Sequence, residues 1–279
     1  MREWLAENMP IMTGLVTAMV ALFGVGLTTV SLIMTGRNNK AQRAAMKEDR
    51  AAVMAEKQTA RNAALSDRFA RAIELLKDDS LAIRMGALFE LKKLGLEAPE
   101  DQQDIVRILG PFIREGIENK DLLLPPKYPD IHKETMHRPA DDIFIACEVV
   151  SLFYDEKEKA GYEWAENPCR VALQNLKAES LELRRINLNG ADLYCAHFEK
   201  ADLWHVHFKG AGLYNARVNE ANLRGALLKG AELINTDLTG TYLKEARYLT
   251  AEQLIVAIGV GHAILDDNLR AQLERLKAA

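Results

Sequence analysis

Residues 221–240 read ANLRGALLKGAELINTDLTG, and leucine recurs at every fifth position of this stretch. The four leucines are Leu223, Leu228, Leu233 and Leu238. Five steps of about 100° around a helix miss the starting face by about 140°. In a β-strand, an odd spacing places successive leucines on opposite faces. Because neither element explains the period, we expect a fold that buries one residue in every five.

The same phase continues over fifteen units, and the central residue of each unit is apolar. These residues are Leu173, Ala178, Leu183, Leu188, Leu193, Phe198, Leu203, Phe208, Leu213, Val218, Leu223, Leu228, Leu233, Leu238 and Leu243. Two positions before the centre, most units have a small side chain: Ala191, Ala196, Ala201, Ala211, Ala216, Ala221, Ala226 and Ala231. A five-residue unit buries nothing by itself, so we expect the units to stack on one another as in a solenoid.

The units ADLYC, ADLWH, ANLRG and AELIN resemble the A(D/N)Lxx repeat of the pentapeptide-repeat family. The resemblance runs from Val171 to Glu245. It implies a right-handed quadrilateral β-helix, predicted here over residues 171–248, in which four units form one coil and the central and small residues fill the interior. The first coil departs from the pattern, because its small-residue positions hold Val171, Leu176, Leu181 and Ile186. We therefore expect this coil either to be wider or to be a cap toward the preceding helices.

Residues 249–279 are predicted to form a helical cap over the last coil. The segment Ala246–Leu254 leaves the repeat, and Thr250 and Gln253 have the spacing of a capping box. The open end of a solenoid needs a cover, and we expect one final helix to provide it. The apolar residues of that helix are Leu269, Leu273 and Leu276.

Four units per coil would stack residues twenty positions apart in columns on the surface. One such column holds Tyr194, Tyr214 and Ile234. We expect this exposed apolar strip either to bind a protein partner or to be a self-stacking ladder. On the opposite face Trp204 falls between Arg184 and Arg224, which predicts a cation–π stack. Together with the three residues of the strip, Trp204 is a candidate for contact with a partner.

An uncharged run of 24 residues, Ile11–Met34, predicts a single transmembrane helix within an N-terminal segment 1–36. A signal peptide is disfavoured by the length of the run and by Glu3 and Glu7, and a buried soluble helix is the other alternative. Basic residues follow the run: Arg37, Lys40, Arg43, Lys47 and Arg50. By the positive-inside rule, we expect a bacterial inner-membrane protein with its N-terminus outside and its later domains in the cytoplasm.

Small and hydroxyl residues recur along this run at alternating spacings of three and four. They are Gly14, Thr17, Ala21, Gly24, Thr28, Ser31 and Thr35. Such a face lets helices approach closely and form hydrogen bonds within lipid, which predicts a homo-oligomer. The alternative is that these residue types are simply common in membrane helices.

Between the membrane segment and the repeat, residues 37–66 predict a helical stalk and residues 67–170 a small all-α domain. The segment Asp78–Leu94 resembles a HEAT-type helical hairpin, and Gly95 is expected to end its second helix. We expect Gly110 and Pro111 to kink or split the next helix. A proline-rich loop is predicted near 120–140, and another helix over Asp141–Glu156. The predicted fold class is therefore α+β.

The sequence points to no catalytic, cofactor or metal site. It has no GxSxG, Walker, HExxH or CxxC motif. The pair His132 and His137 lacks other ligands, and four further candidates fall near different corners of the repeat: Cys195, His197, His205 and His207. The three cysteines are odd in number, which fits free thiols better than disulfides.

The charges of the repeat decide between the remaining classes of function. Residues 171–245 carry nine acidic and nine basic side chains, so the segment is a poor mimic of DNA, and we expect no nucleic-acid partner and no small-molecule substrate. The sequence predicts a membrane-anchored scaffold that presents a rigid surface to a protein partner. The alternative is an oligomerising, permeabilising membrane effector of the toxin or phage-defence type.

Overall fold

The computed structural model describes residues 22, 34, 40, 42–43, 45–125, 136–163 and 166–278. The chain divides into two compact units, Met1–Ser66 and Asp67–Ala279. The predicted membrane run Ile11–Met34 lies outside the described residues except for Leu22 and Met34, and so do all seven residues of its small-residue face. Within the described ranges, no helix has both the length and the apolar character needed to cross a bilayer.

The first unit contains a helix over residues 45–66, and nearly all of its side chains are exposed. Its few side-chain hydrogen bonds are local, such as the one that Gln58 Nε2 donates to Asn62 Oδ1 at 3.0 Å. Residues 45–66 have high helix propensity and include no Gly or Pro. This propensity accounts for a helix that has almost no buried face.

The second unit begins with four helices: α1 (67–75), α2 (Leu81–Glu97), α3 (Gln102–Glu118) and α4 (Asp141–Lys159). A short 3₁₀ turn, Lys120–Leu122, follows α3. Helix α4 packs against both α2 and α3. The core between them consists of fully buried apolar side chains, among them Leu88, Leu91, Ile105, Leu109, Ile113 and Phe153.

Gly95 of this helical cluster does not have the role expected from the sequence, and Gly110 with Pro111 does not split its helix. Gly95 does not end α2, which continues to Glu97; a Cβ at Gly95 would lie 2.3 Å from Cζ of Phe153, so the glycine allows α4 to approach. Helix α3 continues unbroken through Gly110 and Pro111. The prediction for Gly95 considered only the local sequence, whereas packing between α2 and α4 decided the outcome.

Residues 171–247 form a four-sided β-helix. Parallel bridges of single residues join positions twenty apart, for example Ala172 to Asp192 and Lys177 to His197, so four five-residue units complete each coil. All fifteen central residues and all fifteen residues two positions earlier are buried. The predicted quadrilateral β-helix is therefore confirmed in its period and in its interior.

Each corner of the β-helix is a tight turn with the same backbone geometry. The residue two positions after each centre has a positive φ, between 55° and 70°, in all fifteen units. At fourteen of these fifteen corners the carbonyl of the centre accepts a hydrogen bond from the N–H three residues later, as Leu193 O does from Ala196 N at 3.0 Å. A positive φ favours glycine, which occupies five of these positions: Gly190, Gly210, Gly225, Gly230 and Gly240.

The interior is filled by buried side chains, most of them apolar. Phe198 and Phe208, from opposite sides of one coil, meet edge to face with ring centroids 6.1 Å apart. Thr236 and Thr241 replace alanine in the last coil, and both are fully buried. Their hydroxyls donate to Leu213 O at 2.6 Å and Val218 O at 2.8 Å, which removes the cost of burying them.

The helical cluster covers the first coil, whose outer backbone groups have no preceding coil to bind. Arg114 Nη2 donates to Gln174 O at 2.8 Å, and Glu118 Oε1 accepts from Lys177 N at 3.0 Å. The four large residues at the small-residue positions, Val171, Leu176, Leu181 and Ile186, are all buried. The contact of this coil with the helical segment is therefore observed, while the expected greater width of the coil stays a prediction.

Helix α4 fixes a second side of the same end. Ser151 Oγ donates to Asn187 O at 3.1 Å. Lys209 Nζ lies 3.0 Å from Asp155 and 2.5 Å from Glu158. Burial opposes the charge of Lys209, but hydrogen bonds to Glu158 and Asp155 outweigh it and raise the pKa of this side chain.

At the other end, two short helices and an extended segment cover the last coil. Helix α5 (Ala251–Ile255) begins with the capping box of Thr250 and Gln253, which is confirmed. Ile258 and Ile264 then add two more parallel bridges, to Asp237 and Tyr242. In α6 (Asp267–Ala278), Leu273 is buried, whereas Leu269 and Leu276 are half-buried.

Candidate interaction surfaces

The predicted apolar strip lies in one column of the β-helix surface. Cys195 N donates to Tyr214 O at 2.9 Å and Asn215 N donates to Ile234 O at 3.1 Å, so the strip residues occupy equivalent places on successive coils. The side chains of Tyr194 and Ile234 are well exposed, at 47% and 42%, and Tyr214 is half-buried. The structure thus brings Tyr194, Tyr214 and Ile234 together, while their role in binding stays a prediction.

Tyr214 is held in place by an acidic neighbour. A hydrogen bond to Glu232, with a smaller contribution from burial, raises the pKa of Tyr214 to about 12. The bond orients the ring before any partner arrives, so binding would not need to order it.

The strip extends beyond the repeat into the C-terminal cap. Asn235 N donates to Val256 O at 2.9 Å, which places Val256 beside the coil of Ile234. The Val256 side chain is 44% exposed, and Ile255 and Ile258 next to it are exposed as well. This extension was not predicted because Val256 belongs to no repeat unit. We refer to Tyr194, Tyr214, Ile234 and Val256 as the apolar strip.

Trp204 is separate from the apolar strip, and its cationic neighbour differs from the expected ones. The guanidinium of Arg185 lies over the Trp204 ring, 5.2 Å from its centroid. Arg184 instead pairs with Asp202 at 2.7 Å, and Arg224 pairs with Glu245 at 2.5 Å. The structure therefore places Arg185 over Trp204 and ion-pairs Arg184 and Arg224 with carboxylates, while a stack of Trp204 with those two arginines stays a prediction.

Asp202 is a buried charge that was not singled out from the sequence. Its side chain is fully buried and accepts hydrogen bonds from Arg184 Nε at 2.7 Å, Asn222 Nδ2 at 2.8 Å and Trp204 N at 3.4 Å. These partners offset the cost of burying the carboxylate. The sequence did contain a signal for this residue, because an Asp directly before the central leucine recurs at Asp192 and Asp237.

Two open clefts lie in the second unit. One, of about 520 Å³, is lined mainly by apolar side chains of α1, α3 and α4, with the Arg84–Asp142 ion pair at its wall. The other, of about 700 Å³, lies beside Trp204. Its basic side chains, Arg138, Arg184 and Arg185, are matched by Asp141 and Glu182 in the lining and by Asp202 beneath it. Neither cleft therefore has a clear preference for a ligand of one charge.

One group of metal-ligating side chains converges on a face of the β-helix. His197 Nδ1 lies 3.3 Å from Glu179 Oε1 and 3.6 Å from Glu199 Oε1. The sequence did not indicate this convergence, because the two glutamates belong to one surface column and His197 to another. Of the other histidines considered, His132 lies outside the described residues, and His205 packs edge to face on Trp204.

The cysteines offer no reactive thiolate in the helical part. Burial raises the pKa of Cys147 far above its ordinary value and that of Cys169 to about 11. Cys195, at a corner of the β-helix, is half-buried, and all three cysteines are free.

A family model described as pentapeptide repeats matches residues 173–210, 182–218 and 207–244, with eight copies. No curated protein is significantly similar in sequence to the chain. The comparisons give no support to the expected HEAT-type resemblance of residues 78–94.

Three solved structures illustrate the similarity. A pentapeptide repeat protein from the Arabidopsis thaliana thylakoid lumen is 26% identical, over 31% of this chain and 59% of that one, with a TM-score of 0.22. HetL from the cyanobacterium Nostoc is 27% identical, over 35% and 44%, with a TM-score of 0.19. Rfr23 from Cyanothece is 24% identical, over 35% and 85%, with a TM-score of 0.17.

The match spans less than two thirds of the first two of these proteins, and at such TM-scores the likeness carries no argument about function. The family match and the twenty-residue bridges nevertheless agree on the same part of the chain. Residues 173–244 are therefore pentapeptide repeats, folded as a four-sided β-helix.

Proposed function

We propose that this chain is an interaction protein whose β-helix presents the apolar strip to a protein partner, and whose N-terminal segment anchors it in the bacterial inner membrane. The observation that carries the proposal is the strip itself. Its members hold equivalent places on successive coils, and within residues 171–247 the large apolar side chains classed as exposed are Tyr194 and Ile234, both of which belong to the strip. A contiguous exposed apolar surface is typical of a binding site.

The backbone beneath the strip supports this role. Residues of the strip sit on coils that are hydrogen-bonded on both sides, so their spacing is fixed before binding. A rigid surface loses little conformational freedom when a partner docks, which favours affinity. We propose no catalytic role, cofactor or small-molecule substrate.

Site-specific photo-crosslinking tests the strip. A photoreactive side chain at Tyr194 should give a discrete crosslinked partner in cells, whereas the same side chain at Lys229 should not. Lys229 is exposed and holds the equivalent repeat position on another face, which makes it a matched control. Ile234→Asp should abolish the Tyr194 product, and Lys229→Asp should leave it unchanged. Identical products from both positions, or a product indifferent to Ile234→Asp, would exclude the strip.

The membrane anchor is supported by the uncharged run Ile11–Met34 and the basic residues after it. Reporter fusions at the two ends of the chain test it. We expect a C-terminal reporter to be active only in the cytoplasm and an N-terminal reporter only outside. Removal of residues 1–36 should then release the protein from the membrane fraction, and retention there would contradict the anchor.

A further inference from the structure

We propose that Glu179, His197 and Glu199 form a binding site for a divalent transition-metal ion of the chemistry of Zn²⁺. The site lies on a different face of the β-helix from the apolar strip, so it goes beyond the proposed interaction function and stands or falls separately from it.

The distances between the candidate ligand atoms fit a tetrahedral metal site. Zn²⁺ binds imidazole nitrogen and carboxylate oxygen at about 2.0–2.2 Å, so two ligands of a tetrahedral ion lie about 3.3–3.5 Å apart. His197 Nδ1 lies 3.3 Å from Glu179 Oε1 and 3.6 Å from Glu199 Oε1. One ligand atom from each of the three residues falls within 4.8 Å of both others. The ligand set therefore needs only a small adjustment to close around an ion.

The repeat itself creates this convergence. Glu179 and Glu199 are twenty residues apart and hold the same place on successive coils, joined where Ser180 N donates to Glu199 O at 2.9 Å. His197 directly precedes Phe198, the centre of the repeat unit that contains Glu199, and its carbonyl accepts a hydrogen bond from Ala178 N at 2.8 Å. All three ligands therefore stand on hydrogen-bonded rungs of a rigid scaffold, as a preformed metal site requires.

The basic residues beside the group are exposed: Lys177 and Arg217 hold the neighbouring places in the column of His197. Two carboxylates stacked on neighbouring coils repel each other. Arg217 Nη1 is 3.6 Å from Glu199 Oε1, but the Arg217 side chain is 61% exposed, so water weakens its effect. Glu199 Oε2 is buried and has no hydrogen-bond partner among the residues that the structure describes. A buried acceptor without a partner is costly, and a bound cation would remove that cost.

The ligand types select the metal. Two carboxylates alone would suit Ca²⁺ or Mg²⁺, which prefer oxygen ligands in larger numbers. An imidazole nitrogen with two carboxylates suits Zn²⁺, with water as the fourth ligand. Because Glu179 belongs to the first coil and the other two ligands to the second, the ion would link the coils and stabilise the end of the β-helix.

Calorimetric titration of Zn²⁺ into the full-length, chelator-treated protein tests the site. The variant is His197→Asn, because asparagine already holds the same repeat position at Asn187 and Asn222. The matched control is His207→Asn, from the equivalent position of another face, where the residues stacked beside it are Asn189 and Lys209 instead of glutamates. Circular dichroism before titration checks that each variant is folded.

We expect the wild type and His207→Asn to bind one more Zn²⁺ than His197→Asn, and Glu199→Gln to lose the same ion. We also expect Zn²⁺ to raise the thermal unfolding midpoint of the wild type but not that of His197→Asn, and equal concentrations of Ca²⁺ to have no effect on either. Equal Zn²⁺ stoichiometry in the wild type and His197→Asn, or equal loss in His207→Asn, would overturn the proposal.

Discussion

The ring of Tyr154 in α4 occupies the space that a side chain on Gly190 would need. A Cβ built on Gly190 would lie 2.0 Å from Cδ2 of Tyr154, and Gly190 has a φ of 66°. This contact joins a corner of the β-helix to the helical cluster. Two properties therefore favour glycine at this position: the positive φ and the lack of room for a side chain.

We expect Gly190→Ala to destabilise the second unit by about 1.5–4 kcal/mol, because a left-handed alanine costs about 0.5–1 kcal/mol net of the unfolded-state cost of glycine and overpacking against the ring adds about 1–3 kcal/mol. Urea unfolding followed by circular dichroism measures this. Gly230→Ala is the control, since Gly230 holds the same column with a φ of 65° and no atom within 4 Å of its Cβ position. It should cost only about 0.5–1 kcal/mol, which is the left-handed strain less the stability that alanine gains by restricting the unfolded chain. Equal losses would show that the Tyr154 contact is unimportant.

We expect Lys200→Gly to stabilise the protein. Lys200 has a φ of 61°, a conformation that costs a residue with a Cβ about 1–2 kcal/mol, while glycine costs about 0.5–1 kcal/mol in the unfolded chain. The net gain should be about 0.5–1 kcal/mol, measured as a higher urea midpoint. The ion pair that the variant loses, Lys200 to Glu220 at 3.8 Å, is exposed and weak. Lys200→Ala loses the same ion pair and keeps the strain, so a gain in that variant as well would contradict this explanation.

We expect Asp202→Ala to destabilise the protein by about 3 kcal/mol, since it leaves Arg184 and Asn222 without their buried acceptor. Asp192→Ala is the matched control at the equivalent position of another face. Asp192 is partly exposed and accepts from Gln174 Nε2 at 2.6 Å, so its loss should cost about 1 kcal/mol. Chemical unfolding at neutral pH compares the two, and a smaller effect for Asp202 would contradict its structural role.

We expect Tyr214 to ionise about two pH units above an ordinary tyrosine. Its pKa is raised to about 12 by the hydrogen bond to Glu232, against about 10 in an unfolded chain. The raised pKa contributes stability that is fully present below about pH 10 and is lost as the pH rises toward about 12.

The ultraviolet absorbance of tyrosinate measures the ionisation, and Tyr214→Phe identifies the signal of this residue. Glu232→Gln removes the charged acceptor and should shift the Tyr214 titration back toward that of an ordinary tyrosine. An unchanged titration in Glu232→Gln would mean that Glu232 does not hold the ring in place.

We expect the double variant Gly24→Leu/Thr28→Leu to form fewer crosslinked oligomers in membranes, because the larger side chains keep helices apart and remove an interhelical hydrogen-bonding group. Chemical crosslinking of membrane fractions measures this, and an unchanged oligomer ladder would rule out self-association through this face. Leakage of a vesicle dye that the same double change abolishes would favour the permeabilising effector over the scaffold.

The interior residues of the β-helix could be predicted one by one from the sequence, whereas the left-handed corner residues could be predicted only in some units. The fifth-residue period identifies Leu203 and Phe208 as interior because the geometry repeats in every unit. The left-handed corner is marked by glycine or asparagine in some units, but Lys200, His205 and Glu220 adopt the same φ without any such signal. There the surrounding coils impose the conformation on residues that do not favour it.

The five-residue period by itself determined which side chains of residues 173–244 lie inside the repeat, because a short period needs no knowledge of distant contacts; the number of units in a coil was implied by the resemblance to pentapeptide repeats, and the bridges between residues twenty apart fix it at four. Tertiary structure alone decided which side chains close the ends, as Arg114 does at Gln174, and how the apolar strip continues to Val256. It also decided that Arg184 would turn to Asp202 and that His197 would meet two glutamates. These contacts depend on side-chain directions and on elements far apart in the chain, and no local pattern encodes them.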